Sequence, residues 1–335
     1  MKILVTGGAG YIGSHMTLAL KDSGHEVIVF DNLSRGFKDA VIDATLVEGD
    51  LRSLDDLYRL FKLHPFELVM HFAALTYVDE SVKNPHFYFE NNVVGTINLI
   101  NAMKDHGVKQ FVFSSSCAVY GEPIEIPIKE SHPKSPISPY GENKLAVEEM
   151  LVDASKWGLK SISLRYFNAA GSDKDLRVGE RHYPETHLIP LVLREALRVK
   201  NGGDVWDTRL KVFGKDFNTL DGSAVRDFIH VDDLCRAHLV AAQRLMNGTS
   251  DGAEAYNLGN GQGFSVLQVI DIARKVTKQN ITYREMTRRE GDPAMLVGDA
   301  TLAQSQLHWT PRYLDLDDII ETAWQFMLKI NSRPL

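Results

Sequence analysis

The chain has 335 residues with 37 Lys+Arg against 44 Asp+Glu, a formal net charge of −7, and room for about two domains. This mild acidity, without a basic arm, excludes a nucleic-acid-binding class, and no run approaches the roughly 18 apolar residues of a spanning helix. Only two cysteines, Cys117 and Cys235, exclude a disulfide scaffold, and the histidines lack His-Glu-x-x-His spacing, so no metal site is expected. Met1–Thr6 leads straight into a strand without a signal-peptide pattern, and a reducing cytoplasm is the expected location.

The first half alternates short apolar runs with helical patterns. Ile3–Val5 reads as a strand, followed by a glycine turn and a helix over Ser14–Lys21. Val27–Phe30 and Thr45–Val47 are strands, Leu54–Phe61 a helix, and Leu68–Phe72 the next strand. A long helix spans Phe87–Lys104, Phe111–Phe113 runs into three serines, and a helix over Tyr140–Lys156 leads to Ile162–Leu164. Strands this apolar belong to a parallel sheet covered on both faces, so the fold class is α/β, a doubly wound Rossmann-type sheet. After Phe167 the rhythm breaks, and a smaller α+β substrate domain is expected. The expected division is a dinucleotide-binding domain over 1–170 and a second over 171–335, with part of 222–245, including Val225–Ile229, returning to the first sheet. Ligands of such sheets sit beyond the strands' carboxyl ends, which places the site between the two units.

Gly7-Gly8-Ala9-Gly10-Tyr11-Ile12-Gly13 follows the first strand and opens a helix. Glycines at this spacing let the backbone approach a pyrophosphate, whose charge meets free amides and the helix dipole. A tight turn alone would use the same glycines. Asp31, ending the second strand, stands where a carboxylate bonds the adenosine ribose hydroxyls and repels a 2′-phosphate, which favours NAD over NADP. Arg35 nearby is the one residue that would welcome that phosphate.

Tyr140 and Lys144 are spaced i, i+4 on one helix face. A neighbouring ammonium favours the phenolate, which suits a general base. Tyr58 and Lys62 share the spacing, but only Tyr140 follows a serine-ended strand, Phe111–Ser116. One of those hydroxyls can bridge substrate and phenol, and one or two of the others are expected to serve only the local backbone.

Together, Thr6–Gly13, Asp31, Gly49-Asp50, His71–Ala74, Asn91–Val93, Ser114–Gly121 and Tyr140–Lys144 resemble an extended short-chain dehydrogenase/reductase, and more closely the UDP-glucose 4-epimerases. The resemblance continues through Leu164–Asn168, Val225–Val231, Tyr256–Gly259 and Arg288-Arg289-Glu290-Gly291-Asp292, essentially the whole chain in order. It implies NAD as a bound catalyst, held by Gly7, Gly10, Tyr11, Ile12, Gly13, Asp31, Asn32, Asp50, Leu51, Phe72, Ala73, Asn91, Ser114, Tyr140, Lys144 and Tyr166. It makes Tyr140 the base at the sugar 4-OH, Lys144 the partner of the nicotinamide ribose, and Ser116 the bridge between 4-OH and phenol. A 4-keto sugar then swings about its pyrophosphate linkage before hydride returns to the other face. Asn168, Leu188, Phe213, Arg226, Arg289 and Asp292 would hold UDP, with Ser116 and Tyr140 at the sugar, and a homodimer would form through the helices near Phe87–Lys104 and Tyr140–Lys156.

The chain departs from the family at Thr76, where lysine is common, at Asp79 in place of glycine, and at His187 in place of asparagine. Leu296 stands where some members have tyrosine and others a smaller residue, and is expected to leave room for an N-acetyl group. UDP-N-acetylglucosamine and UDP-pentose 4-epimerases are therefore the near alternatives. A 4,6-dehydratase needs acidic residues where Cys117 and Ala118 stand, and a sensor without catalysis needs no base.

Overall fold

The structure is a computed structural model that describes residues 1–289 and 291–332. The first half runs β1 (Lys2–Thr6), α1 (Tyr11–Asp22), β2 (Glu26–Asp31), β3 (Thr45–Glu48), α2 (Leu54–Leu63), β4 (Leu68–His71), α3 (Val78–Lys83) and α4 (Pro85–Phe89). A π-helical turn over Glu90–Val94 leads into α5 (Gly95–Asp105), then β5 (Gln110–Ser116), α6 (Pro139–Ala154) and β6 (Lys160–Tyr166). The second half holds β7 (Asn168–Ala170), α7 (Leu188–Lys200), β8 (Lys211–Phe213), β9 (Val225–His230), α8 (Val231–Met246) and β10 (Ala253–Leu258). It closes with β11 (Gly263–Ser265), α9 (Val266–Thr277), β12 (Arg284–Met286), β13 (Met295–Leu296), α10 (Thr301–Gln306) and α11 (Leu316–Asn331).

Seven parallel strands form the main sheet in the order β10-β6-β5-β4-β1-β2-β3. Their apolar side chains are buried on both faces. Ile3, Val5, Val27 and Met70 face α1 and α8, whereas Leu4, Ile28, Val69 and Phe111 face α2, α5 and α6. Strand order reverses between β1 and β4, and a crevice opens beyond their carboxyl ends. The α/β, doubly wound reading is correct.

Two expectations need correction. Val225–Ile229 does not return to the main sheet: β9 lies in a second sheet, parallel to β7 and β13 and antiparallel to β11. Arg226 and Asp227 interrupt its apolar run, and a strand covered on both faces has no place for that pair. The chain returns one element later, when α8 lays Leu234, Ala237 and Ala241 on the first core, and again when β10 adds the seventh strand beside β6. The long helix over Phe87–Lys104 is also not uniform. It carries the π-turn at Glu90–Val94, where Asn92 bonds the Leu75 amide at 2.8 Å and the Leu75 carbonyl at 2.9 Å. Helices α7, α9 and α11 enclose a separate core around Val192, Ile270 and Trp324.

Candidate active site

At the crevice, Gly7 has a φ of +72°, and a Cβ there would stand 2.4 Å from the Ala73 amide nitrogen. Only glycine lets the loop after β1 pass this close to the segment after β4. Gly13 is equally constrained, since its Cβ would fall 2.1 Å from the Gly7 carbonyl oxygen. Gly10 differs: a Cβ there meets nothing nearer than 3.4 Å, so its backbone is open to the groove. The groove holds about 590 Å³ of empty space and is lined by Gly7, Gly10, Asp31, Asn32, Asp50, Leu51, Phe72, Ala73 and Asn91 among others.

The groove's chemistry fits a dinucleotide. Helix α1 starts with neither a side-chain cap nor an acidic residue in its first turn. By contrast α2, α6, α8 and α9 are each capped by a side chain. Free amides and a dipole with no acidic neighbour at this helix start are what a pyrophosphate requires. Tyr11 and Ile12 supply backbone only. The Tyr11 hydroxyl turns away to the Gly171 carbonyl at 2.8 Å, and Ile12 packs on the core. Asp31 accepts from the Ala9 amide at 3.0 Å and the Leu33 amide at 2.8 Å, which fixes the carboxylate at the groove wall. Burial raises its pKa. Arg35 is engaged by Glu80 through two bonds of 2.7 and 2.9 Å, so the cation nearest the ribose position is already neutralised. This arrangement favours NAD over NADP. Asn32 donates to Asp50 at 3.1 Å, and the Arg52 guanidinium holds the Asp50 carboxyl well below its usual range. The π-turn carries Asn91 to the groove, a use of irregular helix common at functional sites.

The reacting groups lie at the end of β5. Ser138 caps α6 by accepting from the Gly141 amide at 3.2 Å, Pro139 opens the helix, and Tyr140 follows. Lys144, one turn on, is buried and donates to the Ser114 carbonyl at 2.7 Å, with its Nζ 5.8 Å from the centre of the Tyr140 ring. Burial pushes the Tyr140 phenol above its ordinary value, while the nearby Ser116 hydroxyl works in the opposite direction. Burial pushes Lys144 down to about 7, opposed by Glu148. His71, buried between Thr6 at 2.6 Å and Thr96 at 2.9 Å, is lowered to about 3 by burial and by Lys144, and it stays neutral beside the site.

The three serines divide their labour by strand alternation. Ser116 faces Tyr140 and also accepts from the Ala118 amide at 3.2 Å. Ser114 bonds the Tyr166 hydroxyl, and Ser115 points to the opposite face, where it donates to Glu148 at 2.7 Å. Glu148 then takes Arg165 through contacts of 2.8 and 2.6 Å, and Arg165 reaches the Tyr120 hydroxyl at 2.8 Å. This buried network ties α6 to β5 and β6 behind the reacting groups. Tyr140, Lys144 and Glu148 are spaced i, i+4, i+8, a signal the sequence held but that went unread at its third member. Tyr58 and Lys62 lie on α2, away from the groove, with the Tyr58 hydroxyl on Asp105.

The second unit faces this edge. Arg226 on β9 pairs with Asp292, and it is near enough to Cys117 to pull that thiol down against its burial. Arg289 lies over the Phe213 ring, 4.1 Å from its centre. Asn168 donates to the Asp227 carbonyl at 3.1 Å, and Leu188 begins α7. Leu296 pairs with Arg226 in register and packs on the apolar cluster of Cys117, Val119, Tyr120 and Ile128 with Phe167. Glu290 lies outside the described residues. Thr76 and Asp79 are exposed. Ser34, Gly36, Ala74 and Leu75 also line the groove and were not expected, being loop residues placed there by the backbone alone.

Residues 3–259 match the model of the NAD dependent epimerase/dehydratase family. The chain belongs to that family. Among relatives, it is 48% identical over 97% of its length to a UDP-glucose 4-epimerase of Halalkalibacterium halodurans, covering 95% of that protein. Its structure resembles the UDP-glucose 4-epimerase of Bifidobacterium longum in complex with NAD+ and UDP, with a TM-score of 0.90, 34% identity and 98% of each chain covered. It also resembles the UDP-Glc/GlcNAc 4-epimerase of Campylobacter jejuni, with a TM-score of 0.81, 40% identity, and 98% and 99% of the two chains covered. Membership in the epimerase/dehydratase family makes NAD the cofactor of the groove described above.

Proposed function

We propose that this chain is a UDP-sugar 4-epimerase that interconverts UDP-glucose and UDP-galactose through a 4-keto intermediate with tightly bound NAD. The observation that carries the reading is the meeting of Ser116, Tyr140 and Lys144 beside the NAD groove, with Arg226 across from them. Gly7, Gly10 and Gly13 with the start of α1 would hold the pyrophosphate, Asp31 the adenosine ribose, and Lys144 the nicotinamide ribose. When bound, NAD accepts a hydride from the sugar C4 and returns it. Tyr140 takes the 4-OH proton and gives it back, and Ser116, beside the phenol, orients that hydroxyl. Arg226 and Arg289 offer fork-shaped donors to the UDP phosphates and Asp292 an acceptor to a ribose hydroxyl, so affinity resides in UDP and the sugar is free to turn. Asn168, Leu188 and Phe213 complete that site. Cys117 and Ala118, where a dehydratase needs acids, leave no group to eliminate water.

We assign residues 1–170 to the NAD domain and 171–335 to the UDP-sugar domain, with α8 and β10 crossing back. A homodimer through the helical stretches near Phe87–Lys104 and Tyr140–Lys156 is part of the reading; Phe89 on α4, Ile97 on α5 and Val152 on α6 are exposed at 46%, 37% and 57%, and a monomer in sedimentation would remove it. The two free, buried cysteines accord with the cytoplasm, and no described helix is long and apolar enough to cross a membrane.

The test is turnover of UDP-glucose, UDP-galactose, UDP-N-acetylhexosamines and UDP-pentoses without added NAD. Hexose epimerisation and release of about one dinucleotide per chain on denaturation are expected. Leu296 adds a specificity outcome. Its side chain is anchored on the Cys117–Ile128 cluster, so wild type is expected to turn over UDP-N-acetylglucosamine as well. Failure in both wild type and Leu296→Gly contradicts this, and a gain of about tenfold or more only in the variant shows that Leu296 blocks the pocket.

A further inference from the structure

Residues 180–187 form a strap between the loops at the groove mouth and α7. Arg181 binds Asp39 through contacts of 2.8 and 2.9 Å, and the Tyr77 hydroxyl donates to the Pro184 carbonyl at 2.9 Å. Four side chains of the strap turn toward one point. Glu180, His182, Glu185 and His187 each offer a ligand atom, and these atoms all lie within 4.8 Å of one another.

The imidazole–carboxylate separations approach those of a coordination shell. His187 Nδ1 lies 3.0 Å from Glu185 Oε1 and 3.2 Å from Glu180 Oε1. His182 Nδ1 lies 3.3 Å from Glu180 Oε1 and 3.5 Å from Glu185 Oε2. A tetrahedral ion with bonds of about 2.05 Å sets its ligand atoms about 3.3 Å apart. His187 Nδ1 hydrogen-bonds Glu185 Oε1, but hydrogen bonding does not account for the rest, because His182 Nδ1 and Glu185 Oε2 are buried with no hydrogen-bond partner. The Glu185 side chain is only 1% exposed. Its Oε1 accepts from the Thr186 amide at 2.8 Å and the His187 amide at 2.9 Å, which fixes the carboxylate and leaves Oε2 without a hydrogen bond, 3.5 Å from His182 Nδ1 and 3.9 Å from the Arg194 guanidinium. Two carboxylates gathered away from water favour a positive charge among them, and Arg194 approaches Glu185 only to 3.9 Å.

We propose that Glu180, His182, Glu185 and His187 bind one divalent transition-metal ion of the zinc class, tetrahedrally, as a clasp that fixes the strap. Two imidazoles with two carboxylates suit Zn²⁺ or Co²⁺, whereas Mg²⁺ and Ca²⁺ prefer shells of oxygen alone. The ion's role is positional. The His182 ring stands 6.2 Å from the Tyr11 ring, at the start of α1, and His187 immediately precedes Leu188, the first residue of α7. The clasp thus links the pyrophosphate end of the groove to the UDP side. None of its ligands belongs to the Ser116–Tyr140–Lys144 set, so the epimerase reading and the metal site stand or fall separately.

The test uses the full chain with its bound dinucleotide, stripped of metal by a chelator and titrated with Co²⁺. About one equivalent is expected to bind with the intense visible absorption of tetrahedral cobalt, and Zn²⁺ should displace it. Glu185→Gln keeps an oxygen for the two amides but puts a non-ligating nitrogen at Oε2. It is expected to lose the cobalt spectrum while keeping the wild-type far-ultraviolet dichroism and its dinucleotide. His182→Asn carries the same test if Glu185→Gln does not fold. No uptake by wild type, an octahedral spectrum, or wild-type uptake in the variants would overturn the proposal.

Discussion

Replacing Tyr140 by Phe is expected to lower kcat for UDP-galactose by about 10²–10⁴-fold, the usual contribution of a positioned general base. The ring and its packing remain, and only the hydroxyl beside Ser116 is lost. Dinucleotide content should be unchanged, because the groove at Gly7, Gly10 and Asp31 is untouched. KM should move little, because most affinity is assigned to UDP. Steady-state kinetics and dinucleotide release on denaturation check both halves. Turnover near that of wild type would remove Tyr140 from the reaction, and loss of NAD together with activity would make it a structural residue.

The largest expected loss of stability lies behind the site. Glu148→Ala leaves Arg165 buried without its carboxylate; the two side chains are only 6% and 4% exposed. Breaking one side of such a pair costs about 3–5 kcal/mol, whereas replacing both partners with apolar residues is often neutral. Denaturant unfolding should therefore show Glu148→Ala strongly destabilised and Glu148→Met with Arg165→Met largely restored. Activity adds a second readout. Glu148 supports the charge on Lys144, so folded Glu148→Ala should lose turnover toward neutral pH earlier than wild type. Single and double variants of equal stability would show that the pair is not the anchor of α6.

The local devices were legible because each carries its own signature. Gly7–Gly13 is legible because only glycine permits the approach to Ala73, and Asp31 because it ends an apolar strand at a fixed distance from that loop. Tyr140 and Lys144 needed the serine-ended strand to distinguish them from Tyr58 and Lys62. What stayed hidden depends on partners far along the chain. The π-turn arises from Asn92 bonding Leu75, and the use of Ser115 from Glu148 on the covering helix. The place of β9 was misread because Val225–Ile229 is apolar at its ends, and its pairing with β7, β11 and β13 is set by tertiary contact. The strap at 180–187 has no familiar spacing, and only folding brings Glu180 to His187.

The central claim is that a hydride leaves C4 of the sugar and returns to the same carbon within one active site. UDP-galactose carrying deuterium at C4 tests it most directly, incubated with the purified chain in ordinary water without added dinucleotide. The account predicts UDP-glucose with its deuterium retained at C4. Product that has exchanged that deuterium for solvent hydrogen would show proton abstraction from carbon and contradict it.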